Sequence, residues 1–158
     1  MKNTFKRSGA ALILLVLLLV LAVSAGAASS QNVGVKFWKE RSDKESMANS
    51  GIDPDRTATL TRQTNGTYTL TLPVKQVSKL GVTGYLSGLT IGDVTYDGTL
   101  TGDFNKATAV LTIKNLPASV LTGSDVNKSV LVTCNIQMDL QVLGEINTSA
   151  RMCIWNQK

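Results

Sequence analysis

The chain contains no histidine. That absence removes the usual general base, the commonest metal-binding side chain and any Ser-His-Asp arrangement. Two cysteines, Cys134 and Cys153, are too few for a four-cysteine zinc site. The carboxylates Asp93, Asp97, Asp103 and Asp125 lie beside glycine or in turn-like stretches, where aspartate is favoured for its own backbone hydrogen bonding. The stretch "GLTIGD" is no phosphate loop, because no helical pattern follows it. No segment of the mature chain sustains a helical apolar period. These absences argue against an enzyme and for a binding module.

What is present begins with a processing signal. Lys2, Lys6 and Arg7 form a basic leader, residues 10–23 are apolar, and "SAGAASS" supplies small residues for cleavage. The apolar run is shorter than the roughly 20 residues a membrane helix needs. Residues 1–27 are therefore expected to be a cleaved export signal, and residues 28–158 one domain with its own core. No cysteine directly follows the apolar run, so nothing marks a lipid-attached form. With the leader's three basic residues gone, the formal charge falls from +5 to +2. Nucleic-acid binding needs a more concentrated basic patch, so no nucleic-acid partner is expected.

Thr, Val, Leu and Ile recur in short runs separated by Gly, Asn and Asp, the mark of an all-β chain. The clearest hairpin is "RTATLTRQTNGTYTLTLP". A two-residue Asn65-Gly66 loop would set Leu60 opposite Thr71 and mismatch the apolar faces. A Thr64-Asn65-Gly66 loop pairs Leu60 with Leu70 and Ala58 with Leu72, and places Gly66 in the left-handed region. Residues 74–80 are ambiguous between a loop and a helical turn, and residues 84–104 read as short strands with tight turns. Pro117 argues against a central strand in "NLPASVLTGSD". In residues 129–143, Val130, Val132, Cys134, Ile136, Met138, Leu140 and Val142 share one face. Seven or eight short strands at this spacing suggest an antiparallel β-sandwich, with a small closed barrel as the alternative.

One region carries more than a strand pattern. "FWKERSDKESMANSGIDPDRTATLTRQTNGTYTLTLPVK" resembles the first third of NEAT domains. In that family a lysine-containing first strand leads into a short helical turn with a Ser-Met pair. An "A-x-L/V" strand and a "G-x-Y-x-(V/L)-T-L" strand follow. Ser46-Met47-Ala48-Asn49 matches the turn, and residues 58–60 and 66–72 match the strands. The resemblance covers residues 37–75 and, more weakly, "ARMCIW" near the end; the middle of the chain is poorly matched. It implies an immunoglobulin-like β-sandwich with a short helical turn near the N-terminus, within residues 42–51. It also implies a haem-binding module of Gram-positive surfaces or secretions, with the turn as a lip over the haem.

The chain departs from the family at the iron. The resemblance calls for "Y-x-x-x-Y" on the last hairpin, with the first tyrosine on the metal. Aligned through "ARMCIW", those positions fall near Gly144 and Thr148, while Tyr68, Tyr85 and Tyr96 all lie earlier. The remaining soft donors are Met47, Met138, Met152 and the two cysteines. Thioether and thiolate both ligate haem iron, and Met138 on an apolar face is equally explained by packing. Ser46 suits a propionate contact or a helix cap, and Ser42 with Glu45 forms a second capping pattern. Ser46, Met47, Met138 and Met152 are the candidate haem-contacting residues, between the turn and the final hairpin. Haem, or a haem-carrying protein, is the expected partner. The alternative is an interaction module binding a surface protein or glycan.

The cysteines present a choice of register. A four-residue loop at residues 142–145 sets Cys134 opposite Cys153 and allows a disulfide. A shift of one residue sends the thiols to opposite faces and brings Met138 onto the face of Met152 and Ile154. Export favours a Cys134–Cys153 bridge, which is the expectation adopted; the resemblance, to surface domains that often lack disulfides, pulls the other way.

Overall fold

The computed structural model describes residues 28–79, 81–139 and 144–157. The expected export signal of residues 1–27, and Leu140 and Val142 of the expected apolar face, lie outside them. Among the described residues nine strands are formed: β1 (Ser29–Lys39), β2 (Ala58–Arg62), β3 (Tyr68–Pro73), β4 (Val77–Lys79), β5 (Val82–Ile91), β6 (Val94–Thr101), β7 (Val110–Leu116), β8 (Val130–Met138) and β9 (Glu145–Asn156). The helical segments among the described residues are short 3-10 turns, of which Met47–Gly51 bears on function.

The β2–β3 hairpin follows the parity argument. Leu60 pairs with Leu70 and Thr59 with Thr71, and Gly66 has φ 83°. Ala58, Leu60, Leu70 and Leu72 are all buried. Pro117 caps the 3-10 turn Ala118–Val120 instead of entering a strand. Residues 84–104 contain most of one long hairpin, β5–β6, rather than several short strands.

The all-β expectation holds, but the immunoglobulin-like sandwich does not. The sheet runs β4-β5-β6-β7-β3-β2-β1-β9-β8, and a further ladder joins β8 back to β5. That ladder closes β5, β6, β7, β3, β2, β1, β9 and β8 into an eight-strand barrel, with β4 as a short addition along the start of β5. The physical reason lies in β5. A β-bulge falls between Leu86 and Gly88, and a Cβ on Gly88 would lie 2.7 Å from the Tyr96 carbonyl oxygen. Bulges and close-approach glycines let a strand bend at barrel corners. The bent β5 holds β8 on one edge and both β4 and β6 on the other.

The barrel interior is the core. Phe37, Leu60, Leu70, Leu72, Leu89, Leu111, Ile113, Met152 and Ile154 are fully buried in one cluster. On β8 and β9 the inward face carries Val132, Cys134, Ala150, Met152 and Ile154. The same face continues past the core to Ile136, Met138, Ile146 and Thr148, and there the packing opens.

Candidate functional site

Over that opening lies the Met47–Gly51 turn. It forms here because the chain after β1 is tied back at several points. Ser46 N–H donates to the Phe37 carbonyl at 2.9 Å, and the Ser46 hydroxyl accepts from Ala48 N–H at 3.3 Å. Ser46 is therefore the N-cap, with the extended backbone such a residue adopts. Ser42 and Glu45 form no cap of this turn; Glu45 instead pairs with Lys36 at 2.6 Å, and Lys36 sits 4.5 Å from the Trp38 ring centroid.

Asn49 is the second anchor. Its Oδ1 accepts from Phe37 N–H at 2.8 Å, and its Nδ2 donates to the Phe37 carbonyl at 2.7 Å. The amide thus supplies both halves of the contact that a neighbouring strand would make. Farther along, Lys75 N–H donates to the Gly51 carbonyl at 3.0 Å, and Ile52 bridges Val74. Arg151 on β9 holds the approach to the turn through the Ser42 and Lys39 carbonyls and Asp43, the last at 2.7 Å. Ala48 and Gly51 face inward, and Met47 is 60 % exposed at the rim.

Between this lip and the strands is a cavity of about 430 Å³. Met47, Ala48 and Gly51 roof it; Val77, Val82, Gly84, Tyr85 and Leu86 form one wall, and Ile136, Met138, Ile146, Asn147 and Thr148 the other. Ile146, 44 % exposed, continues the apolar rim opposite Met47. Its size and its mainly apolar wall with a few polar groups suit an organic ligand. Among the described residues, no cluster of three or more Cys, Asp or Glu is placed to hold a metal ion.

The wall has a structural device in it. Gly84 pairs with Met138 across the β5–β8 ladder, and a Cβ on Gly84 would stand 2.8 Å from the Met138 sulfur. The missing side chain seats the thioether at the cavity wall. On its other side, Met138 N–H donates to the Gly144 carbonyl at 3.1 Å. Met138 is therefore the cross-strand neighbour of the position where the family resemblance puts its first tyrosine. Thr148, where the second would fall, lines the cavity.

The structure divides the sequence-predicted residues. Met47 and Met138 line the cavity. Ser46 is buried as a cap and is not part of the lining. Met152 is fully buried in the core, opposite Val130, and does not reach the cavity. Three residues were missed. Asn49 sits inside the quoted Ser-Met-Ala-Asn motif. Gly84 and Tyr85 come to the wall through strand pairing that the sequence does not display.

The Cys134–Cys153 disulfide is corrected: both thiols are free and buried. Cys134 stands opposite Thr148, and Cys153 lies beyond the Met152–Val130 pair. Relative to the expected register the ladder is displaced by five residues. An odd displacement puts the two side chains on opposite faces. Cys134 points into the core, where burial pushes its thiol up to about 12. The Cys153 thiol donates to the Asp125 carbonyl at 3.6 Å, under the loop that precedes β8. The competing register, with Met138 on the face of Met152 and Ile154, has the right parity, but Met152 lies too far down the barrel to share the cavity.

No protein-family model and no curated protein matches the sequence. Solved structures do match. The NEAT5 domain of IsdX2, a B. anthracis hemophore, solved in complex with haem, superposes with a TM-score of 0.53 over 83 % of this chain and 98 % of its own, at 12 % identity. A single-substitution variant of that domain, also with haem, matches equally well. The chain has a NEAT-like fold. In this NEAT-like barrel the lip and the last hairpin enclose the cavity, so the resemblance seen in residues 37–75 and the whole-chain likeness agree.

Proposed function

We propose that the chain is a haem-binding module whose site is the cavity under the Met47–Gly51 lip. The observation carrying this reading is an apolar slot, between that lip and the β8–β9 hairpin, with two thioethers in its lining. The likeness to a hemophore domain solved with haem supports it. The residues fit the group. A macrocycle is largely apolar, the walls are mostly Val, Leu, Ile and Met, and thioether sulfur ligates haem iron. Bound haem would supply the iron centre.

Met138, seated by Gly84, is the wall ligand in this reading, and Met47 the ligand from the lip. Ser46 serves the site as the cap that shapes the turn, and Met152 serves the core. The leader of residues 1–27 and the hemophore likeness together support an exported protein, working outside the cell or at its surface. Haem exchange with another haem-carrying protein is the corresponding activity.

Titration of the purified protein with hemin tests the reading. A saturable Soret band at one haem per chain is expected, with band position or affinity altered in Met138→Ala and Met47→Ala. Absence of a protein-dependent Soret shift would overturn the haem reading; unaltered spectra and affinity in both variants would remove the methionines as ligands.

A further inference from the structure

We infer that the thioethers of Met47 and Met138 make this cavity hold ferrous haem in preference to ferric haem. The inference rests on the haem reading and deepens it. Its first support is the chemical character of the donors at the wall. The lining residues whose side chains carry electron-pair donors are Met47, Met138, Tyr85, Asn147 and Thr148, and the Tyr85 ring packs 5.3 Å from that of Phe104. Among the described residues no carboxylate or thiolate lines the cavity, and the chain has no imidazole to offer. Thioether sulfur is a soft, uncharged donor that raises the potential of haem iron, whereas a phenolate is an anionic donor.

The second support is charge. Ferric iron in a porphyrin leaves one positive charge at the metal, and ferrous iron leaves none. Burying an uncompensated charge in an apolar site is costly. A family tyrosinate would neutralise it, but Gly144 and Thr148 stand at those positions. The carboxylates nearest to the wall in sequence, Asp139 and Glu145, are exposed outside the lining, and Glu45 is taken by Lys36. Cys134 lies deeper on the same face of β8 and is held as the neutral thiol. Charge and softness therefore favour the same oxidation state.

Haem affinity is measured twice, with hemin in air and with dithionite-reduced haem under anaerobic conditions, and the potential of bound haem is measured by spectroelectrochemistry. Ferrous haem is expected to bind at least about tenfold more tightly, which places the bound potential about 59 mV or more above that of free haem. The double variant Met47→Leu with Met138→Leu keeps the volume and removes only the sulfur. It should lose more ferrous than ferric affinity and lower the bound potential.

Equal or tighter binding of ferric haem by the unaltered protein would overturn the inference. So would a ferrous preference unchanged in the double variant. A ferric preference abolished by Tyr85→Phe would overturn it in favour of the phenol on β5. Failure to bind haem in either state removes the site reading itself, a result distinguishable from all of these.

Discussion

Gly84 and Met138 are a cross-strand pair in which one residue's missing side chain decides where the other's sulfur lies. In Gly84→Ala the new methyl would meet the Met138 sulfur at 2.8 Å and the Gln137 carbonyl oxygen at 2.9 Å. The sulfur can swing away, but the carbonyl cannot move without disturbing the ladder. A stability loss of about 1–3 kcal/mol is expected by urea unfolding, together with a changed haem spectrum. A spectrum identical to that of the parent would mean the thioether is not held by this contact. Cys134 makes a prediction of a different kind. Its thiol ionises near 9.0 when unfolded and is raised to about 12 by burial. Between those values the unfolded chain has lost a proton that the folded chain keeps, so stability falls as pH rises. The contribution is constant below about pH 9 and declines by up to about 4 kcal/mol toward pH 12. Comparing the alkaline stability slopes of the parent and Cys134→Ala isolates it, and the variant's slope should be shallower. At neutral pH the native protein should resist alkylation and, denatured without reductant, take up two alkyl groups.

The lip is an element that owes its shape to side chains more than to its own backbone. Asn49→Ala leaves the Phe37 N–H without its partner, while the Phe37 carbonyl keeps only the Ser46 N–H, a cost of about 1–3 kcal/mol. Beyond that loss, amide exchange should quicken across Met47–Gly51 while β2 and β3 stay protected; uniform quickening would mean that Asn49 supports the whole barrel instead. Legibility in the sequence differed by element for a physical reason. The β2–β3 hairpin could be read because its strands are neighbours in sequence, its turn carries Asn-Gly, and two apolar faces had to agree. The lip could be read through the Ser-Met pair of the family resemblance. The β8–β9 hairpin has one long apolar face on β8 but a weaker pattern on β9, so apolar matching could not fix where the strand ended. The observed ladder pairs Gln137 with Glu145 and Cys134 with Thr148, and that register undid the disulfide.

At the scale of the molecule, the sandwich and the barrel share strand number, strand length and alternation. They differ in the β5–β8 ladder, which joins segments far apart in the chain through a bulge and close-packed glycines. Periodicity records which face of a strand is buried. It carries no record of which distant strand lies alongside, so closure had to come from the structure.

That closure also sets a timetable. β1 pairs with β9 from Val33↔Asn156 to Lys39↔Ala150, so the first strand waits for almost the last residue of the chain. Contacts of such large sequence separation must overcome loop-closure entropy before they stabilise anything, which slows folding to the order of milliseconds to seconds. A chain emerging from synthesis therefore cannot complete its barrel until β9 has been made. Stopped-flow refolding of residues 28–158 should give a relaxation in that slow range, and microsecond folding would contradict the timetable. A chain truncated before β9 should remain uncompacted, protease-sensitive and unable to form the cavity.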